Sequence, residues 1–350
     1  MRNRRQFMQQ IVGAAGLLPA LLQVSRTAYA AASPFKTRGV VLTVEDLETL
    51  DWPRRAAEAG LTTIGTHITP SQVARFVESE KGQAFLDECR ALGLEVEHEL
   101  HAMSDLLPRD LFDKAPEMFR MDERGNRVKN ANCCVHSQDA LDVIGENIER
   151  YAGLLKPTTG RYFYWIDDAM PMCRCPKCRV YSDADQALLL ENEMLRLLRR
   201  LDERASLAHL AYANTLEPPT QVKPEPGIFL EFAPIHRTWE RPLRDRAAHG
   251  KVAHGRYLDA LDANLAVFDK DSAQALEYWL DVSLFSKWKR DRKVKLPWRK
   301  EVVLADLKTY FDRGIRHITT FAVYIDGDYI TQFGEPPTEE YGACFAECLA

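Results

Sequence analysis

The sequence predicts an α/β protein of the (β/α)8 barrel class, on three observations. Eight apolar runs of strand length alternate with helical stretches along the chain. Polar and titratable side chains gather at the C-terminal ends of those runs, where the loops of such a barrel share one mouth. The 350 residues also fit one barrel of about 250 residues with insertions. A two-domain α/β division at the proline-rich passage 218–226 is the competing architecture.

In order, the first strand is read at 39–44, followed by a helix through Trp52, Ala56 and Ala57 that Gly60 closes. The second strand, 61–68, carries His67 at its end, and Pro70-Ser71 opens a helix to about Leu92. The third, 94–101, alternates so that Glu95, Glu97, Glu99 and His101 share one face and Val96 and Leu100 the other. A long insertion, 102–136, then leads to Cys133, Cys134 and His136; loops of that length inside a domain are commonly functional. A helix at 139–155 precedes the fourth strand, 161–166, which runs into Asp167, Asp168 and three cysteines. Leu190, Met194, Leu197, Leu198 and Leu201 recur at helical spacing before the fifth strand, 207–212. The sixth strand is 228–234. The seventh, 275–281, is read with Glu277, Trp279 and Asp281 on one face. A basic loop, 287–298, with Trp288 and Trp298, and a helix at 301–313 lead to the eighth strand, 317–324, and Asp326.

The composition, 46% hydrophobic and 28% charged, is that of a globular protein. Residues 1–30 read as a twin-arginine export signal: paired arginines, a moderate apolar region and a small-residue cleavage site after Ala30. A retained amphipathic anchor is the alternative, and no stable transmembrane segment is expected. Cleavage would leave a single domain at 31–350 working in the periplasm or beyond. It would also remove four arginines and no acidic residue, taking the formal net charge from −5 to −9, which argues against nucleic acid as a partner. No phosphate loop, dinucleotide fingerprint or Ser/His/Asp order is present, so no organic cofactor is expected.

The spacing Cys173-x-Cys175-x2-Cys178 places three sulfurs in one tight loop, and Cys134 is the candidate fourth. Four thiolates suit a structural zinc ion that would pin the strand-four loop to the insertion. Disulfides or free thiols are the alternatives.

The succession His101-Ala, Leu107-Pro108, Pro116-Glu-Met-Phe119, Arg124-Gly-Asn-Arg127 and Cys134, then Asp168 with Cys173-Arg-Cys-Pro-Lys-Cys178, resembles a bacterial domain family of unknown function. That family is found in exported proteins and is related to the barrels of α-glucuronidases and hexosaminidases. Asn192-Glu193, Leu210-Ala-Tyr212, Pro219 and Val222-Lys-Pro224 extend the similarity over about residues 95–330. Asp167 and Glu277-Tyr278 depart from the pattern, which usually has an uncharged residue and Asp-Tyr there.

The resemblance implies a glycoside-hydrolase-like barrel acting on an oligosaccharide or polysaccharide of plant-type or acidic character. Such hydrolysis needs two carboxyl groups flanking the scissile bond. Strands four and seven face one another across a barrel mouth, so Asp168 is the expected acid and Glu277 its partner carboxylate. A substrate-assisted variant, in which one carboxyl only steers the substrate, is also implied. Asp167, Glu99, His101, Tyr212, Glu231 and Asp326 are expected substrate contacts, Trp279 a sugar-stacking face, and the basic loop an attractor for a uronate. A non-catalytic carbohydrate-binding barrel and a metal-dependent enzyme using His67, His101, Asp168 and His236 remain as alternatives.

Overall fold

A computed structural model describes residues 33–349; residues 1–30, read above as an export signal, lie outside the described residues. Eight parallel strands close into one barrel in sequential order: β1 Thr37–Thr43, β2 Thr63–His67, β3 Glu95–His101, β4 Arg161–Trp165, β5 Ser206–Ala211, β6 Ile228–Phe232, β7 Gln274–Glu277 and β8 His317–Phe321. β1 pairs with both β2 and β8, with Gly39 opposite Thr63 on one side and Thr319 on the other. The protein is thus a (β/α)8 barrel, as its alternating pattern predicts. The 218–226 passage is a turn between β5 and β6 of that barrel and not a domain boundary. It is fastened to the helix Asp183–Leu201, because Asp185 Oδ1 accepts the N–H groups of Thr220, Gln221 and Val222 at 2.8–2.9 Å.

Ordinary local signals set the helices. Thr43 with Asp46, and Ser182 with Asp185, form reciprocal capping boxes. Gly93, at φ 66°, closes the helix Glu80–Leu92 in the left-handed conformation that glycine adopts freely. Among the described residues no helix is long and apolar enough to cross a membrane.

Two apolar bodies result. The larger lies between barrel and helices, with Trp52, Leu100, Leu188, Leu230 and Tyr310 buried in it. The smaller fills the upper barrel interior with Val41, Phe163, Trp165, Phe229, Leu276 and Phe321. In contact with it inside the barrel is a polar layer, fully buried: Glu97, Glu99, Glu231 and Gln274 are each 0% exposed. Gly65 leaves the space for it, since a Cβ there would stand 3.2 Å from Glu99 Oε1.

The insertion is ordered rather than loose. It contains the helix Met103–Leu106, 3-10 turns at Arg109–Asp113 and Pro116–Met118, and a bridge from Met121 to Arg127.

Candidate active site at the barrel mouth

A cavity of about 440 Å³ opens at the C-terminal end of the strands, where barrel enzymes place their chemistry. Its floor is aromatic. His67 lies 5.8 Å from His101, 5.8 Å from Trp165 and 5.1 Å from Phe321, and Tyr278 lies 5.3 Å from Phe321. Both histidines are oriented by backbone carbonyls: His67 Nδ1 meets Glu99 O at 2.6 Å, and His101 Nδ1 meets Ile166 O at 2.9 Å. A carbonyl only accepts, so each Nδ1 carries a proton, and in a neutral ring such as that of His67 Nε2 is left as an acceptor. Burial, and then neighbouring His101, push His67 down to about 3, so it is neutral at any ordinary pH.

Among the described residues three carboxylates line this cavity, Asp167, Asp168 and Asp281, and no Lys or Arg does; Arg75 and Arg290 line the hollow that adjoins it at Thr43, His67, Ile68 and Tyr324. Asp168 is exposed and is followed by Ala169 at φ 50°, a conformation that a Cβ-bearing residue holds only when its surroundings enforce it. Burial, and then the charge of Asp168, hold the Tyr212 phenol well above its ordinary range. Asp281 comes from the β7 side. Its Oδ1 accepts from Ser283 N at 2.9 Å, Ser283 Oγ at 2.6 Å and Leu284 N at 3.2 Å. Burial nevertheless pushes its carboxyl up to about 6. Tyr278 sits within the field of both sides: burial raises its phenol first, and the charges of Tyr212, Asp281 and Asp168 add to it.

Several expected contacts stand elsewhere. Glu277 does not reach the mouth. It points outward from β7 and is 0% exposed, taking Arg237 Nη1 at 2.9 Å and Tyr310 Oη at 2.5 Å, while Arg237 also pairs with Asp306 at 2.7 Å. Period two identifies the residues that share a face but not which face turns inward; Gln274, Leu276 and Tyr278 are the inward set. Trp279 follows Glu277 outward. Its indole donates to Asp306 at 3.3 Å and its ring packs 6.0 Å from Tyr341, so it offers no sugar platform.

Glu99 and Glu231 do face inward, but below the floor. Trp165 lines the cavity above while its Nε1 donates down to Glu231 Oε2 at 2.7 Å, and Gln274 Nε2 reaches Glu231 Oε1 at 3.1 Å and Glu99 Oε1 at 3.4 Å. Asp326 caps the helix Gly327–Phe333 and binds Arg290 at 2.9 Å and Lys293 at 2.7 Å. Those pairs, together with Asp46 on Arg290 at 2.9 Å, engage the cations nearest the mouth in the basic loop. Of that loop only Trp288 lines the cavity. His101, Tyr212, Asp167 and Asp168 line the cavity at the mouth.

Asp167 is at the mouth but already engaged. Its Oδ2 pairs with Arg109 and accepts from Asn132 N at 2.5 Å, and its own N–H returns to Asn132 Oδ1 at 2.9 Å. Asn132 Nδ2 also donates to Met170 O at 3.1 Å and Pro171 O at 3.2 Å. The insertion and the β4 loop are thereby laced together around Asp168.

Beside this lacing, the sulfur atoms of Cys134, Cys173, Cys175 and Cys178 all lie within 4.8 Å of one another, buried. Cys134 is 3.8 Å from both Cys175 and Cys178. Tetrahedral zinc with bonds of about 2.3 Å has sulfurs about 3.8 Å apart, far beyond a disulfide bond of about 2.05 Å. The donor set therefore fits a zinc ion. Among the described residues this is the one such cluster; His67, His101, Asp168 and His236 do not gather.

The fold and mouth define a (β/α)8 barrel with an acidic, aromatic-floored cavity. The chain belongs to the family described as Domain of unknown function (DUF4838), whose model matches residues 26–270. No curated protein matches in sequence. Among solved structures, the chain is similar to a β-N-acetylhexosaminidase from Bacteroides fragilis, at 12% identity and a TM-score of 0.55, over 89% of this chain and 66% of that one. It is also similar to PbGH5A, a glycoside hydrolase family 5 enzyme from Prevotella bryantii, at 11% identity and a TM-score of 0.51, over 93% and 98% of the two chains. This chain spans slightly under two thirds of the hexosaminidase, and at these identities the likeness is one of fold.

Proposed function

We propose that the protein is an exported glycoside hydrolase that cleaves a glycan at the barrel mouth with Asp281 as general acid and Asp168 as its partner. One observation carries this: a carboxylate from the β4 side and one from the β7 side line a single aromatic-floored cavity. Asp281, pushed up to about 6 by burial, retains protonated molecules toward neutral pH, as an acid must. It gives its proton to the glycosidic oxygen, which keeps the electron pair of the breaking bond. Asp168, open to solvent, either takes a proton from the attacking water or itself bonds to the anomeric carbon and is released by water later. His101 Nε2, His67 Nε2 and the Tyr212 hydroxyl are placed to bind sugar hydroxyls.

A uronate at the cleaved bond is disfavoured by the same lining, which among the described residues holds Asp168 and Asp281 beside the Arg109-paired Asp167 and no Lys or Arg. The reading is therefore of a glycan whose reacting sugar is uncharged. Export rests on the twin-arginine pattern of residues 1–30. Zinc on Cys134, Cys173, Cys175 and Cys178 would supply cross-linking rather than reaction chemistry, holding the insertion against the β4 loop.

The test is to incubate the purified mature protein with an oligosaccharide panel and detect products. Asp168→Asn should lower kcat about 10²–10⁴-fold with sugar binding retained. Saturable binding with no product from the parent protein would instead make it a carbohydrate-binding barrel. For the metal, elemental analysis should find one zinc per chain, lost in Cys178→Ser; an unchanged content in that variant would sink the assignment.

A further inference from the structure

Trp288 is 60% exposed, while Trp52, Trp165 and Trp279 are buried and Trp239 and Trp298 are partly covered. A lone exposed apolar side chain is ordinary on a protein surface. This one differs in how it is held. Lys287 and Trp288 are consecutive non-glycine residues in the left-handed region, at φ 55° and 57°. That conformation is unfavourable for any residue with a Cβ, and it persists only where surrounding bonds fix it. Those bonds are present: Lys287 N donates to Leu284 O at 3.1 Å, Trp288 N donates to Ser283 O at 2.7 Å, and Tyr324 Oη donates to Trp288 O at 3.4 Å. Tyr324 is itself left-handed, at φ 69°. The result sets Trp288, its side chain largely exposed, in the lining of the cavity that Asp168 and Asp281 share.

Ser283 and Leu284 have a second function in the same turn, because their N–H groups and the Ser283 hydroxyl hold Asp281 Oδ1. One short segment, 281–288, thus fixes both a carboxyl group and an exposed aromatic face. A strained segment so built is a device for placing the two relative to each other.

We propose that Trp288 is the stacking platform for the sugar on the leaving-group side of the cleaved bond. The inference rests on the reading of Asp281 as the acid. An acid protonates the oxygen that departs, so the sugar attached to that oxygen lies on the acid's side of the cavity. The C–H bonds on one face of a pyranose present an apolar, weakly positive surface that complements the negative face of an indole. The basic loop then contributes to recognition through its tryptophan. The specificity it confers is for an oligosaccharide whose leaving residue has an unencumbered C–H face.

The experiment compares two substrates in Trp288→Ala and Trp288→Phe: an oligosaccharide that the parent cleaves, drawn from β-1,4-linked chains of glucose, xylose, mannose or N-acetylglucosamine, and the glycosyl fluoride of the same reacting sugar. Fluoride is too small to stack. Trp288→Ala should lower kcat/KM for the oligosaccharide about tenfold or more relative to the fluoride, mainly through KM, and Trp288→Phe should recover part of the loss. Equal effects on both substrates, or none on the oligosaccharide, overturn the platform while leaving the hydrolase reading intact. If the parent cleaves nothing, titrating the same oligosaccharides against intrinsic tryptophan fluorescence decides the matter. A saturable change that Trp288→Phe abolishes keeps the platform and removes the hydrolase; no binding at millimolar sugar removes both.

Discussion

Glu277 and Asp281 lie close together in sequence at the end of the same strand and have different fates. Burial raises both carboxyls, Glu277 to about 7 and Asp281 to about 6. Glu277 is enclosed by Arg237 and Tyr310 between the barrel and its helices, with no path to the cavity. Asp281 is tied only through Oδ1, to its own turn, and lines the mouth. The contrast shows that a perturbed carboxyl is not by itself a sign of chemistry; the perturbation matters where a substrate can reach it.

The largest expected effect separates them directly. Asp281→Asn should lower kcat about 10²–10⁴-fold while leaving thermal stability close to that of the parent. The sign of the pH dependence follows from the raised carboxyl: the acid is active when protonated, so kcat/KM should fall as pH rises through about 6, and the residual activity of Asp281→Asn should lack that limb. Glu277→Ala should do the reverse. It strips a partner from a buried guanidinium and from the Tyr310 hydroxyl, which costs about 3–5 kcal/mol of stability, read as a lowered urea midpoint. Its kcat per folded molecule should stay within about twofold of the parent, a change too small to be loss of a catalytic group. If Glu277→Ala lost turnover and kept its stability, the two roles would have to be exchanged.

The same contrast explains what the sequence could and could not convey. The alternation of apolar runs was enough for eight strands in barrel order, and the ends of strands three, four and five carry His101, Asp168 and Tyr212 to one cavity. The spacing marked Cys173, Cys175 and Cys178, and Cys134, offered as the fourth from its place after the insertion, has its sulfur within 4.8 Å of theirs. Glu277 and Trp279 failed because alternation is blind to which face is inside. Glu99 and Glu231 failed for a different reason: they face inward, but the rings of Trp165, His67 and Phe321 roof them over, and depth along a barrel axis depends on stagger between strands. Asp281 had a local signal. An Asp standing directly before a helix is an N-cap signal, and it places the chain's turn out of the strand before Asp281. Trp288 had none, because the left-handed backbone that presents it is imposed by Ser283, Leu284 and Tyr324.

The smallest effect tests the carboxylates beneath the floor. Glu99 is raised well above the ordinary range by burial first, and then by the charges of Glu231 and Glu97; burial also pushes Glu231 up to about 8. A carboxyl whose folded value is raised keeps its proton in the native state after the unfolded chain has released it. The stability it contributes is complete below the unfolded value of 4.5 and is lost as pH rises through the folded value, so the parent should weaken progressively from about pH 4.5 toward pH 8. Glutamine imitates the protonated carboxyl and cannot ionise. Glu99→Gln should therefore match the parent in urea midpoint near pH 4.5 and exceed it at pH 8, because only the parent must ionise a buried carboxyl or hold its proton against the rising pH. It should also leave the pH limb near 6 untouched, since that limb belongs to Asp281 above the aromatic floor. A shift of the limb in Glu99→Gln would mean that the roof of Trp165, His67 and Phe321 does not separate the two sets of carboxylates.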